Sequence, residues 1–178
     1  MSDSYSSEHP PKNSELEGAI GRVIISWSVL ERQISDSIEE LFRLDSEMAG
    51  CITANLGTKA KLDIFQSAAC YMDDYLKPAV TLARINDLVN DTAALSDRCR
   101  NFVAHGGPQE FDLGLEQNVW LWMRMSARKG GLKMRLTALK FEVFEKAHDD
   151  ILALTERWAS LRRDMESGLK FYDLCKLG

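Results

Sequence analysis

Within the segment Arg100-Asn101-Phe102-Val103-Ala104-His105-Gly106-Gly107 stand a guanidinium, an amide and an imidazole. An imidazole titrates near neutral pH and moves protons in either direction, while a guanidinium offers a planar fork of donors matched to phosphate oxygens. Together these side chains suit work on a phosphodiester. His9 stands in a Ser- and Pro-rich stretch, and His148 sits among Glu145, Asp149 and Asp150 on what reads as a solvated helix face, which leaves His105 as the histidine of interest. A second chemistry lies between Asn118 and Phe141, where Arg124, Arg128, Lys129, Lys133, Arg135 and Lys140 occur without an acidic residue. Trp120 and Trp122 fall in the same stretch, so bases could stack on rings while cations follow a nucleic-acid backbone.

The elements that position these residues follow from hydrophobic spacing. Ser14-Glu15-Leu16-Glu17 has the form of a capping box, predicting a helix from about Glu15. Ile20, Val23, Ile24, Trp27, Leu30, Ile34, Ile38 and Leu41 then recur every three or four residues and form one stripe. A shorter helix, or a pair broken near Gly57, is expected from Ser46 to Tyr75, with Thr58 as a cap and Leu62, Phe65, Ala69 and Tyr71 facing inward. Pro78 fits a helix start, and a third long helix is expected from about Ala79 to His105, closed by Gly106-Gly107-Pro108. The spacing changes to period two from Val119 to Thr137, with Arg128-Lys129-Gly130-Gly131 as the turn of a hairpin at about 118–137. Val119, Leu121, Met123, Met125, Leu132, Met134 and Leu136 share one face of it. Trp120, Trp122, Arg124, Lys133 and Arg135 share the other, as candidate RNA-binding residues. Phe144, Ala147, Ile151, Leu154, Trp158 and Leu161 restore helical spacing. The fold class is therefore all-α, an up-and-down bundle of four to five helices with a small inserted β-hairpin.

At 178 residues and 45% apolar content, the chain suits a single domain over 14–178 after a disordered tail over 1–13. A net charge of -5 argues against a protein that coats nucleic acid nonspecifically, since such binding neutralises many phosphates. Cys51, Cys70, Cys99 and Cys175 lack paired spacing and read as reduced, mostly buried thiols. No signal-like or membrane-spanning stretch is evident, so a cytoplasmic protein without membrane contact is expected. No cluster of ligands calls for a metal or other cofactor.

An Arg-Asn-x-x-x-His-Gly sequence closing the third helix of a four-helix domain resembles the HEPN (higher eukaryotes and prokaryotes nucleotide-binding) family, whose hallmark is an Arg four to six residues before a His, often with Asn after the Arg. Arg100, Asn101 and His105 match it. Arg98 also falls in the window but lacks the following Asn, and Trp27-Ser28-x-Leu30-Glu31 is similar to a pattern recurring in bacterial members. The resemblance implies metal-independent endoribonuclease activity in which the ribose 2′-hydroxyl attacks phosphorus to leave a cyclic phosphate. Arg100 would hold the phosphate, His105 would act as general base or acid, and Asn101 would orient His105 or the scissile group. It also implies a homodimer, a role as a toxin or defence component, and an antitoxin protein as a partner. Two other readings stay open: a noncatalytic module binding RNA or a nucleotide, and a structural or interaction bundle. In the latter His105 serves the helix dipole, Gly106 the cap, and Arg100 an ion pair with Asp97 or a neighbouring acid. At 100° per residue, Asn101 and His105 lie about 40° apart on a helix, but Arg100 and His105 about 140° apart. Convergence therefore needs a loosened last turn or a second copy across a two-fold axis.

Overall fold

Leu16, Ala19, Val23, Trp27, Leu30, Ile34, Ile38 and Leu41 are all buried along the first helix, so its apolar period sets which face meets the core. The computed structural model describes residues 12–76, 79–100, 106–109, 119–128 and 131–176. In order these form α1 (Lys12–Phe42), α2 (Ser46–Thr53), α3 (Thr58–Tyr71), α4 (Asp73–Leu76), α5 (Leu82–Leu95), a π-helical turn (Ser96–Arg100), β1 (Gly106–Gln109), β2 (Val119–Arg128), β3 (Gly131–Lys140) and α6 (Phe141–Lys176). The chain is mostly helical, with one three-stranded antiparallel sheet before the last helix.

Several local signals act as expected and others do not. α1 already runs from Lys12, so Ser14 lies inside the helix rather than capping it. Its other end closes on Arg43, the one described non-Gly residue at positive φ (52°). There Leu44 N–H donates to the Glu39 carbonyl at 3.1 Å and Arg43 N–H to the Glu40 carbonyl at 3.2 Å, the paired bonds of a left-handed cap usually built on Gly. The Arg43 side chain compensates by donating to the Leu169 carbonyl at 3.0 Å. The helix pair does break at Gly57, but Gly57 is the cap of α3 and Thr58 its first residue, with the Thr58 hydroxyl donating to the Glu31 carboxylate. Tyr71, expected inside, is 84% exposed, because it ends α3 beyond the last turn covered by its neighbours. Cys51 and Cys70 are likewise exposed, not buried. Ile24 also lies outside the core, since it is displaced by about 100° from Val23 around α1.

Paired contacts give the helix directions. Ser26 with His148, Asp36 with Arg162 and Arg43 with Leu169 step the same way along α1 and α6, so these two run parallel. Arg84 with Asp164 and Asp91 with Arg157 step oppositely, so α5 runs antiparallel to α6. Glu31 with Thr58 and Ser35 with Lys61 make α3 parallel to α1, with α2 as the return between them. α1 packs on α6 and α3, and α5 packs on α3 and α6, closing a ring around the core. Trp158, fully buried at its centre, meets Phe65 edge to face at 5.0 Å and donates its indole N–H to the Thr92 hydroxyl at 2.9 Å. Thr92 in turn donates to the Leu88 carbonyl at 2.7 Å, so neither polar group in this dry interior lacks a partner.

The sheet has the order β1-β2-β3, with β2 in the middle. The expected hairpin corresponds to β2 and β3, paired from Val119 with Lys140 to Arg128 with Gly131. β1 is a departure. Gly106-Gly107-Pro108, expected to cap a helix, instead pairs along β2, with Gly106 opposite Arg124 and Gln109 opposite Leu121. Pro108 is tolerated because β1 is an edge strand, where a missing N–H breaks no internal ladder.

Candidate functional site

α5 positions the first part of the candidate site. Thr81 caps it by accepting from Arg84 N–H at 3.4 Å, and Ile85, Leu88, Val89, Thr92 and Leu95 seat its inner face. The α-helical turns stop at Leu95, and the chain continues through Ser96–Arg100 as a π turn rather than as the single helix to His105 that the spacing predicts. A π turn takes one more residue to close than an α turn, and such insertions cluster at functional sites. Here it shifts the helical phase of the residues leading up to Arg100. Arg100 is its final residue, Asn101 and His105 lie outside the described residues, and the described chain resumes at Gly106 in β1.

The sheet supplies the second part. Cross-strand partners share a face, and in β2 and β3 the register sets Trp120 opposite Leu139, Trp122 opposite Thr137, Arg124 opposite Arg135 and Ser126 opposite Lys133. Trp120, Trp122, Arg124, Lys133 and Arg135 therefore occupy one face of the sheet. β1 ties this face to the end of α5, because Gly106, the residue after His105 in the chain, is the register partner of Arg124. The two candidate regions, separate in the sequence, are thus joined through one strand pairing.

Beside the π turn lies a cleft of about 380 Å³ between α5 and α6, lined by Arg98, Lys146, Asp150, Arg157 and Asp91 over a floor of Ala94, Leu95, Ala153 and Leu154. Arg157 is committed to Asp91 at 2.7 Å. Arg98 and Lys146 are exposed in it. The sequence signal for this cleft was available, since Arg98, Asp91 and Arg84 are seven residues apart, but it needed the pairing partner α6 to be read.

His148 is half-buried, with Nδ1 3.1 Å from the Ser26 hydroxyl, so it joins α1 to α6 rather than lying on a solvated face. A polar groove of about 730 Å³ between α1 and α2 contains Glu31, Asp36, Glu39 and the mostly buried Lys61, whose ammonium donates to Ser35 at 3.0 Å. The ion pair of Glu166 with Lys170 on exposed α6 surface lowers the carboxyl pKa and raises that of the ammonium, through their mutual hydrogen bond first and their charges second. Among the described residues, no group of three or more His, Cys, Asp or Glu could hold a metal ion, and no helix is long and apolar enough to cross a membrane. Compared with protein-family models, curated proteins and solved structures, the chain matches none.

Proposed function

We propose that the protein is a metal-independent endoribonuclease of the HEPN type, working as a homodimer in a toxin or defence role that an antitoxin protein restrains. The observation that supports this reading is the π turn Ser96–Arg100, which breaks the α-helical phase of α5 just ahead of the segment holding Asn101 and His105 and has Arg100 as its last residue. β1 adds to it, because it fastens the far end of that segment beside the strand bearing Trp120, Trp122 and Arg124.

In this reading the RNA backbone follows the face of Arg124, Lys133 and Arg135 while bases stack on Trp120 and Trp122. Arg100 binds the non-bridging oxygens of the scissile phosphate and stabilises the charge that grows on them. His105 takes the proton from the ribose 2′-hydroxyl, whose oxygen forms the new bond to phosphorus. The bond to the 5′-oxygen breaks, and that oxygen receives a proton from the imidazolium of the second copy. The products are a 2′,3′-cyclic phosphate and a 5′-hydroxyl, with no net change in protons. Asn101 holds the imidazole of His105 in its working orientation. Support for a second copy comes from α1, where Ile24, Ile25 and Val29 are 51%, 68% and 47% exposed and an added Cβ on Gly21 would meet nothing within 4 Å among the described residues.

The test is cleavage of mixed RNA in chelator by wild type, Arg100→Ala and His105→Ala, with the product ends mapped. Cyclic phosphate ends that fall by about 10²-fold or more in His105→Ala are expected. Wild type giving no His105-dependent products overturns the nuclease reading. RNA binding that persists in wild type and is lost in Arg100→Ala then identifies a noncatalytic binding module. A sedimentation mass of a monomer at micromolar concentration overturns the shared cleft.

A further inference from the structure

We propose that the cleft beside the π turn is a subsite for a phosphodiester of single-stranded RNA, with Arg98 as its main ligand and Lys146 as its second. The inference rests on the RNA-cleaving reading for the identity of its ligand, and on the register of α5 against α6 for its chemistry.

The seam between these antiparallel helices is built on seven-residue steps. Arg84 meets Asp164 at 2.6 Å, and one step on Asp91 meets Arg157 at 2.7 Å. The next step along both helices is Arg98 and Asp150. Their charges are opposite, they line the same cleft, and continued α geometry would bring them together as it does the two pairs below. No ion pair between them forms. α6 stays α-helical through Asp150, whereas α5 gives way at Ser96 to the π turn, so each residue beyond Leu95 falls behind the phase that the seam requires. The guanidinium of Arg98 is thereby released from the partner that sequence register assigns to it and left exposed.

The charges that remain favour an anion. Arg157 and Asp91 satisfy each other, which leaves Arg98 and Lys146 against the single carboxylate of Asp150, a positive balance in a protein of net charge -5. The floor of Ala94, Leu95, Ala153 and Leu154 is apolar, and a charge-assisted hydrogen bond over such a floor is screened less than one in open water. Asp150, on the lining of the same cleft, then repels a phosphate bound there. Removing it should improve binding, a result that loss of general surface charge does not explain.

The measurement is fluorescence anisotropy of a labelled 12-nucleotide single-stranded RNA against the full chain in a His105→Ala background, so that the probe stays intact. Arg98→Gln, Lys146→Gln and Asp150→Asn are compared over a range of salt, with unfolding midpoints showing that each is folded. Arg98→Gln is expected to weaken binding about tenfold and to reduce the slope of log K against log salt by about 0.7, the value for one lost phosphate contact on a single strand. Asp150→Asn is expected to tighten binding about threefold. Arg98→Gln binding as well as its parent, or Asp150→Asn binding no better, overturns the subsite. The two proposals fail separately: binding that depends on Arg98 without any cleavage by the chain with His105 intact sinks the nuclease and keeps the subsite. Cleavage and binding unaffected by Arg98→Gln do the reverse.

Discussion

Along their seam, α5 and α6 are held in two different ways. From Leu82 to Leu95 the contact is regular, with the Trp158–Thr92 hydrogen bond inside and the Arg84–Asp164 and Asp91–Arg157 ion pairs along the rim. Beyond Leu95 the same two helices offer the next pair of opposite charges and do not join them. The regular half spends its polar groups on holding helices together. The π-turn half leaves a cation and a carboxylate facing a cleft, which is what a binding surface needs and a scaffold does not.

The sharpest way to break this contrast is to remove the regular half. Trp158→Ala empties the fully buried centre of the ring, takes the edge of Phe65 with it, and should cost about 3–5 kcal/mol in denaturant unfolding. Next is the π turn itself. Deleting Cys99 removes the extra residue and lets Arg98 fall into phase with Asp150. RNA cleavage should then drop about a hundredfold, a rise of about 2.7 kcal/mol in the barrier, while the unfolding midpoint stays within a few degrees of wild type. A midpoint that collapses would show that the turn is structural. Thr92→Val keeps the shape of the regular half but strands the Trp158 indole N–H, for a loss of about 1–3 kcal/mol by the same unfolding measurement. Arg84→Ala should cost about 1 kcal/mol or less, because its ion pair is 39% and 42% exposed and screened by solvent.

The smallest effect lies farther along α6, where Glu166 accepts from Lys170 and its pKa is lowered. The sign follows from that direction: the contribution of Glu166 is present above its unfolded pKa and lost as pH falls through the depressed folded value. Lys170→Ala should raise the Glu166 titration toward the ordinary carboxylate range in a side-chain NMR titration. An unmoved midpoint would remove Lys170 as the cause.

Periodicity carried much of this architecture. The stripe of α1 and the residues that α6 buries are legible in the spacing of Leu, Ile and Trp, because one face of each helix must leave water, and the pairing of β2 with β3 is legible in the period-two run either side of a turn. β1 was not legible. Gly106, Gly107 and Pro108 have the composition of a stop, and only their pairing with β2 makes them a strand. The π turn was not legible either, since Ser96-Asp97-Arg98-Cys99-Arg100 carries no residue that favours it over an α turn. Arg100, Asn101 and His105 were singled out by their types and spacing, and the cleft of Arg98 and Lys146 was missed because half of it comes from α6, whose nearest lining residue, Lys146, is 48 residues after Arg98, beyond any local window.

β3 ends on Lys140 and α6 begins on Phe141, with no residue between them, while Leu139 and Phe141 pack against the core. Such a junction has no hinge. Strand passes directly into helix, and at 1.5 Å per residue the helical arm is about 54 Å long. One unbroken helix thus leads from the sheet past the Arg157 and Arg162 ion pairs to the Leu169 carbonyl, which accepts from Arg43 at the end of α1.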